Sequence, residues 1–447
     1  MSEKIITTKS ERLMSLDVFR GMTIAGMVLV NNPGSWGHLY RPVGHAKWHG
    51  WTPTDLIFPF FLFIVGVAMT FSFDKRIAKG QSRLRLFEQV CRRTIILFLL
   101  GLILAGLPWG SFLDWSRWRL IFPYIGFIIG LGFLFADEPP LAPGKTKAAK
   151  IRKIIGGFFL IGSTAWFLVD LPYFQNYQTN ERAGLLIRVP GVLQRIAICY
   201  FFTSIIIFFT GVKGRIAWAL GLIVVYWLIV KLVHAPAGYD VPVTGREGLL
   251  HDWIDRLALG RHVYSERPDP EGILSTIPAI ATTLAGVLCG NWLKTDNDKK
   301  EKCLGLFFMG IILTVTGIWL SYGFPINKKI WSSSYVVFTA GMALLFLGTC
   351  FYLIDIKQRK KWTYPFMVFG TNPIFIFVAS AIFARVTYMI RVPHGEDIVT
   401  LKRWIFLNLQ DLLEVPKAAS LTFAVSYVIF WFLIMIPFYR KKIFIKI

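Results

Sequence analysis

The chain is short of charge, and of acidic residues most of all. Only 17% of its 447 residues are charged while 55% are hydrophobic, against about 25% and about 45 to 50% in soluble domains. That balance, with a mean hydropathy of +0.54, excludes an ordinary soluble enzyme. Asp and Glu number 26 against 49 Lys and Arg, a formal net charge of +23. On a soluble protein such an excess would point to nucleic acid. On a membrane protein it is first explained by the Lys and Arg that collect in cytoplasmic loops, so no nucleic-acid partner is expected. Five cysteines and seven histidines form no CxxC, HExxH or Cys/His ligand spacing, so neither a disulfide framework nor a metal site is expected. Disorder is excluded by what is present: 16% aromatic residues, with 16 Trp and 39 Phe, a composition that disordered chains lack.

Apolar runs of bilayer-crossing length, about 17 to 25 residues, begin near Leu16, Thr54, Cys91, Leu120, Ile154, Val189, Arg215, Gly272, Cys303, Tyr335, Pro365 and Leu421. The reading is an all-α polytopic membrane protein, one bundle of about 12 transmembrane helices. The first run ends in Asn31-Asn32-Pro33 with no small-residue cleavage pattern, which reads as an uncleaved helix. Lys and Arg concentrate in alternate loops, including 75–93 and the C-terminal end, which places both termini in the cytoplasm. Two longer extracytoplasmic segments, 234–271 and 391–420, carry Gly, Pro, Trp and mixed charge, a composition suited to short helices over a cavity mouth. With no internal repeat, residues 1–447 read as a single membrane domain.

Polar residues inside apolar spans are costly and mark function by default. Asp17 and Arg20 lie one turn apart on the first helix. They form either a local ion pair or, with Arg92 and Arg93 on the third, a basic mouth for a phosphate-bearing ligand. The loop 37–55 holds three of the seven histidines, His38, His45 and His49. A general base is the better use of one of them, with Asp55 either orienting its imidazole or serving as an N-cap carboxylate. Arg195 lies about 9 Å inside its helix at 1.5 Å per residue, paired structurally with Asp55 or Glu271 or contacting substrate. Pro278 and the break Gly370-Thr371-Asn372-Pro373 imply a polar cavity within the bundle.

The stretches SLDVFRG (15–21), HAKWHG (45–50), DLIFPFF (55–61), VPGVLQR (189–195), DPEGIL (269–274) and NKKIWSSSYV (327–336) resemble the heparan-alpha-glucosaminide N-acetyltransferase family of transmembrane acyltransferases, in the family's order and over most of the chain. The resemblance implies an acetyl group taken from cytoplasmic acetyl-CoA and delivered to an amino sugar on the far side of the membrane. It places the active histidine on His45, an asparagine on Asn31 and a carboxylate on Asp55. Arg20 and Arg93 become the residues expected at the CoA phosphates, with Arg195, Trp48, Glu271 and Asn372 expected at the substrate. A homodimer is implied as well.

The chain lacks the large luminal N-terminal region of the animal enzyme and inserts about two spans between the third and sixth helices. A bacterial inner-membrane relative acting on a small, glucosamine-type sugar is the resulting expectation. His45 acts either as a base toward the amine or as an acetyl carrier. The rival reading is an amino-sugar permease whose broken helices hold a sugar at mid-membrane, and a third is O-acylation of a lipid or cell-wall sugar.

Overall fold

The computed structural model describes residues 13–106, 125–131, 133, 136–137, 151–163, 188–239, 246–260, 262–264 and 267–445. The protein is mostly helical, with α1 Met14–Asn31, α2 Ile57–Ile77, α3 Arg83–Gly106, α4 Val192–Phe209, α5 Val212–Leu232, α6 Arg246–Leu259 and α7 Ile273–Leu293. Then follow α8 Lys299–Leu320, α9 Ser333–Phe351, α10 Tyr364–Thr371, α11 Pro373–Met389, α12 Leu401–Leu413 and α13 Pro416–Arg440. Among the described residues eight helices are long and apolar enough to cross a membrane, and a ninth span results if the bent pair 361–371 and 373–389 is counted as one. Of the expected fourth and fifth spans, residues 125–131, 133 and 151–163 are described and helical, and the rest lie outside the described residues. The first is present as α1, which Asp17, Arg20 and Asn31 keep out of that apolar set.

The helices sort into an inner and an outer layer. Most of the apolar window of α2, α7 and α9 is buried, whereas α5 is 17% and α8 22% buried. Their exposed Trp218, Leu220, Phe308 and Trp319 form the surface that hydrocarbon would cover. The inner helices approach closely because small residues let them. A side chain on Gly66 of α2 would strike the Thr283 carbonyl of α7, and one on Gly286 of α7 would strike Phe63 of α2. Gly21 and Gly370 give α1 and α10 the same intimacy, against Phe366 and Asp17.

Proline and polar breaks take different forms. Pro278 is accommodated inside an unbroken α7, while the chain bends by 74° between α10 and α11. Asn372 at that bend is fully buried and donates to the Ile443 carbonyl (3.0 Å) while accepting from Ile445 N (2.6 Å), pinning the C-terminal segment. The segment 391–420 holds the expected helix, α12, but begins with a β-hairpin pairing Arg391–His394 with Asp397–Thr400. Gly395 at φ +61° supplies the left-handed residue that a two-residue hairpin turn requires.

Candidate functional site

The loop between α1 and α2 is built around one carboxylate. Thr52 caps a short 3-10 turn, Pro53–Leu56, with Pro53 in its first position and Asp55 completing a capping box. Asp55 Oδ2 accepts the backbone N–H groups of Ala46 and Thr52, both at 3.0 Å. The Thr52 hydroxyl lies 2.7 Å from the Gly44 carbonyl and 3.0 Å from Asp55 Oδ2, and its single proton serves one of the two. Asp55 Oδ1 is left for His45, whose Nδ1 stands 2.7 Å away. Tyr335 of α9 donates to the Asp55 carbonyl and fixes the turn from the other side. The capping and orienting roles are therefore not alternatives: one oxygen caps, the other meets the histidine.

A carboxylate can only accept a hydrogen bond, so the 2.7 Å contact puts a proton on Nδ1, and in the neutral imidazole the lone pair is then on Nε2. The Asp55 side chain is 1% exposed and that of His45 45%, so a fixed anion holds an accessible imidazole. Lys328 Nζ completes the group, 3.4 Å from Asp55 Oδ1 and 3.0 Å from His45 Nδ1. Burial pulls the Lys328 ammonium below its usual range, with Asp55 and Glu271 holding it up. The sequence reading missed Lys328. It sits in the NKKIWSSSYV stretch, but nothing in that spacing predicts contact with residue 45.

His45, Lys328, Asn31, Thr23, Thr54 and Glu271 line a cavity of about 150 Å³ whose remaining walls are apolar side chains of α1, α2, α4 and α11. Phe61, Ile196 and Ile374 line this cavity and also a second one of about 280 Å³, lined by Arg20 and Arg93. Helix α1 borders both cavities, with Arg20 and Asn31 about 16 Å apart along its axis. Arg20 is bonded to Asp17 at 3.1 Å, so the ion pair and the cavity wall coexist. Arg93 stacks its guanidinium 4.9 Å from the centre of the Tyr200 ring, and its Nε is buried without a partner. Two cationic side chains and Ser72 in the lining of one cavity suit a phosphate-bearing molecule.

The remaining sequence-derived residues are placed elsewhere or differently. Glu271 reaches the His45 cavity but is held by Arg188, whose Nη2 is 2.6 Å from Glu271 Oε2 and whose Nε is 3.0 Å from Asp269 Oδ2. Burial opposes the Arg188 charge, and the two carboxylates outweigh it and push its pKa up. Arg195 is fully buried and pairs with neither Asp55 nor Glu271. It donates to the Gly272 carbonyl at 3.0 Å and to Ser275, and stacks 5.1 Å from the Trp331 ring, anchoring α4 to the start of α7. Trp48 is turned away from the cavity into an apolar cluster with Tyr226, Leu250 and Leu274. Asn372 serves the α10–α11 bend described above. His38 bonds Ser35 and stacks on Phe406, apart from His45. Among the described residues no group of three or more His, Cys, Asp or Glu could hold a metal ion.

Comparison with known proteins agrees with the motif resemblance. A family model described as a domain of unknown function (DUF5009) matches residues 12–107, the stretch from α1 through α3 that carries His45 and Asp55. The chain is similar to heparan-alpha-glucosaminide N-acetyltransferase of Homo sapiens, 25% identical over 487 residues covering 98% of this chain and 60% of that protein. It is also similar to the Mus musculus protein of the same name, 25% identical over 422 residues covering 83% of this chain and 53% of that protein. The chain thus spans little more than half the length of these relatives. The similarity is a distant one, to two proteins named as N-acetyltransferases of a glucosaminide.

Proposed function

We propose that the protein is a multi-pass membrane acetyltransferase that moves an acetyl group from acetyl-CoA to the amine of a glucosamine-type sugar, the two substrates entering from opposite faces. One observation carries the reading: an Asp55-oriented imidazole opens into a cavity that shares the lining residues Phe61, Ile196 and Ile374 with a second cavity lined by Arg20 and Arg93. Both termini would then lie on the CoA side, the cytoplasmic one. The proposed setting is a bacterial inner membrane.

The chemistry follows from the free lone pair on His45 Nε2. The amine nitrogen attacks the thioester carbon and transfers a proton to Nε2. The C–S bond then breaks, and the thiolate leaves as thiol by taking that proton back. Asp55 holds the tautomer that makes this possible and stabilises the imidazolium once formed. Asn31, on the same cavity wall, supplies an amide N–H for the developing oxyanion. Lys328 balances the buried charge of Asp55 and, facing the same space, disfavours an acceptor amine that arrives protonated. Arg20 and Arg93 hold the CoA phosphates. If His45 instead carries the acetyl group itself, the same free Nε2 is the attacking atom.

The test is transfer from labelled acetyl-CoA to glucosamine by the purified, detergent-solubilised protein beside His45→Ala. Label in N-acetylglucosamine with the native chain and none with the variant supports the proposal. Equal transfer by both removes His45 from it.

A further inference from the structure

The loop that carries His45 also walls a cavity sharing no lining residue with the two described above. Ser35, Trp36 and His38 form one side of this space of about 570 Å³; Tyr388 at the end of α11 and Lys402 and Arg403 at the start of α12 form the other. Its lining contains two cationic side chains and no carboxylate. The volume is that of a pocket for a small organic ligand.

Lys402 is the anomaly. Its side chain is 6% exposed, its Nζ donates to Tyr388 Oη at 3.1 Å, and it stands 4.9 Å from the centre of the Tyr388 ring and 5.8 Å from that of Phe423. Among the described residues no carboxylate comes within ion-pair distance of it. Rings and one phenol are poor compensation for a buried ammonium, which is normally paired or neutralised. Burial alone draws its pKa down to about 8. Methionine, of similar length, would fill the same volume without that cost, so fold stability does not account for a lysine here. Nor does the helix end: the Arg403 N–H that opens α12 is already capped by Thr400 Oγ1 at 3.1 Å. Arg403, exposed at the rim, and Trp36, 56% exposed, give the mouth the Trp, Tyr and basic composition of a membrane interface.

We propose that this cavity is a phosphate-binding site, its oxygens taken by Lys402 and Arg403, occupied either by the headgroup of an anionic phospholipid or by free phosphate. The proposal is independent of acetyl transfer. It is tested on the full chain in neutral detergent by thermal unfolding against three additions: phosphatidylglycerol, phosphatidylcholine, and inorganic phosphate matched in ionic strength by chloride. Phosphatidylglycerol raising the midpoint where phosphatidylcholine does not supports the headgroup; inorganic phosphate alone doing so supports the free anion. In either case Lys402→Met must weaken half-saturation at least about tenfold, the worth of one charge-assisted hydrogen bond, while unfolding no earlier than the native chain without ligand. Should Lys402→Met fail to fold, the exposed Arg403→Ala must show the same weakening. No stabilisation of the native chain by either phosphate source, or equal stabilisation of the variants, overturns the proposal.

Discussion

Asp55→Asn tests the core of the site, because the structure dictates which way the amide must face. Oδ2 accepts two backbone N–H groups, from Ala46 and Thr52, so that position must remain a carbonyl oxygen. The new NH2 is thereby forced into the place of Oδ1, toward His45 Nδ1 and Lys328. A donor facing Nδ1 inverts the tautomer: the proton moves to Nε2 and the lone pair that would take the amine's proton is gone. In the serine-hydrolase triad the same exchange lowers turnover about 10⁴-fold, which is about 5.5 kcal/mol at 1.36 kcal/mol per decade. With His45 half-exposed and water able to substitute partly, a loss of about 10³ to 10⁴ in turnover is expected here. The folded state should lose only about 1 to 2 kcal/mol, since both backbone anchors survive and only charge assistance is removed. Asp55→Ala orphans those two N–H groups as well and should cost about 2 to 5 kcal/mol, with the loop around His45 loosened. Turnover is read by label transfer and stability by thermal unfolding of the same preparations. A near-native rate for Asp55→Asn would refute the tautomer reasoning, whatever its stability.

Lys328→Met should lower transfer more than tenfold and leave acetyl-CoA binding intact, measured by label transfer beside ligand-induced thermal stabilisation; an unchanged rate would reduce Lys328 to a bystander. Arg93→Ala should raise the KM for acetyl-CoA about tenfold or more with little change in kcat, as loss of a phosphate contact predicts. Arg188→Ala leaves Asp269 and Glu271 uncompensated and should destabilise the protein by about 3 to 5 kcal/mol, seen as a lowered unfolding midpoint. Asp255 is a pH-sensitive carboxylate outside the spans: burial raises its pKa to about 7 despite the bond it accepts from Ile273 N at 2.7 Å. Its folded form therefore binds a proton more tightly than its unfolded form, and its contribution to stability declines as pH rises from about 4 to about 7. Asp255→Asn keeps the Ile273 bond and should flatten that decline in a series of unfolding midpoints.

Much of this arrangement was legible in the sequence because motif and physics coincided. Asp55 after Thr52-Pro53 reads as a cap, and the structure adds that its second oxygen meets His45, ten residues earlier on the loop. Arg20 and Arg93 were visible as cations too near an apolar span, and both line one cavity. What escaped is what depends on contacts across long sequence separations. Lys328 lies 283 positions from His45, inside a doublet that resembles any loop cation, and Arg188 binds carboxylates about 80 residues away. Trp48, expected at the substrate, packs instead into an apolar cluster with Tyr226, Leu250 and Leu274, a burial that spacing alone does not reveal. Asn372 misled for a related reason: a buried amide in an apolar span must satisfy its hydrogen bonds, and the C-terminal segment, not a ligand, does so here.

The wall of Phe61, Ile196 and Ile374 carries a further consequence. On the proposed reading these three side chains border both the reaction chamber and the CoA-side cavity, and so form part of the seal between two compartments. An acetyl group must reach across them while protons and ions must not follow. Trimming any of the three would therefore trade chemistry for leakiness, and ion flux through the resting protein would report on this partition as directly as turnover does.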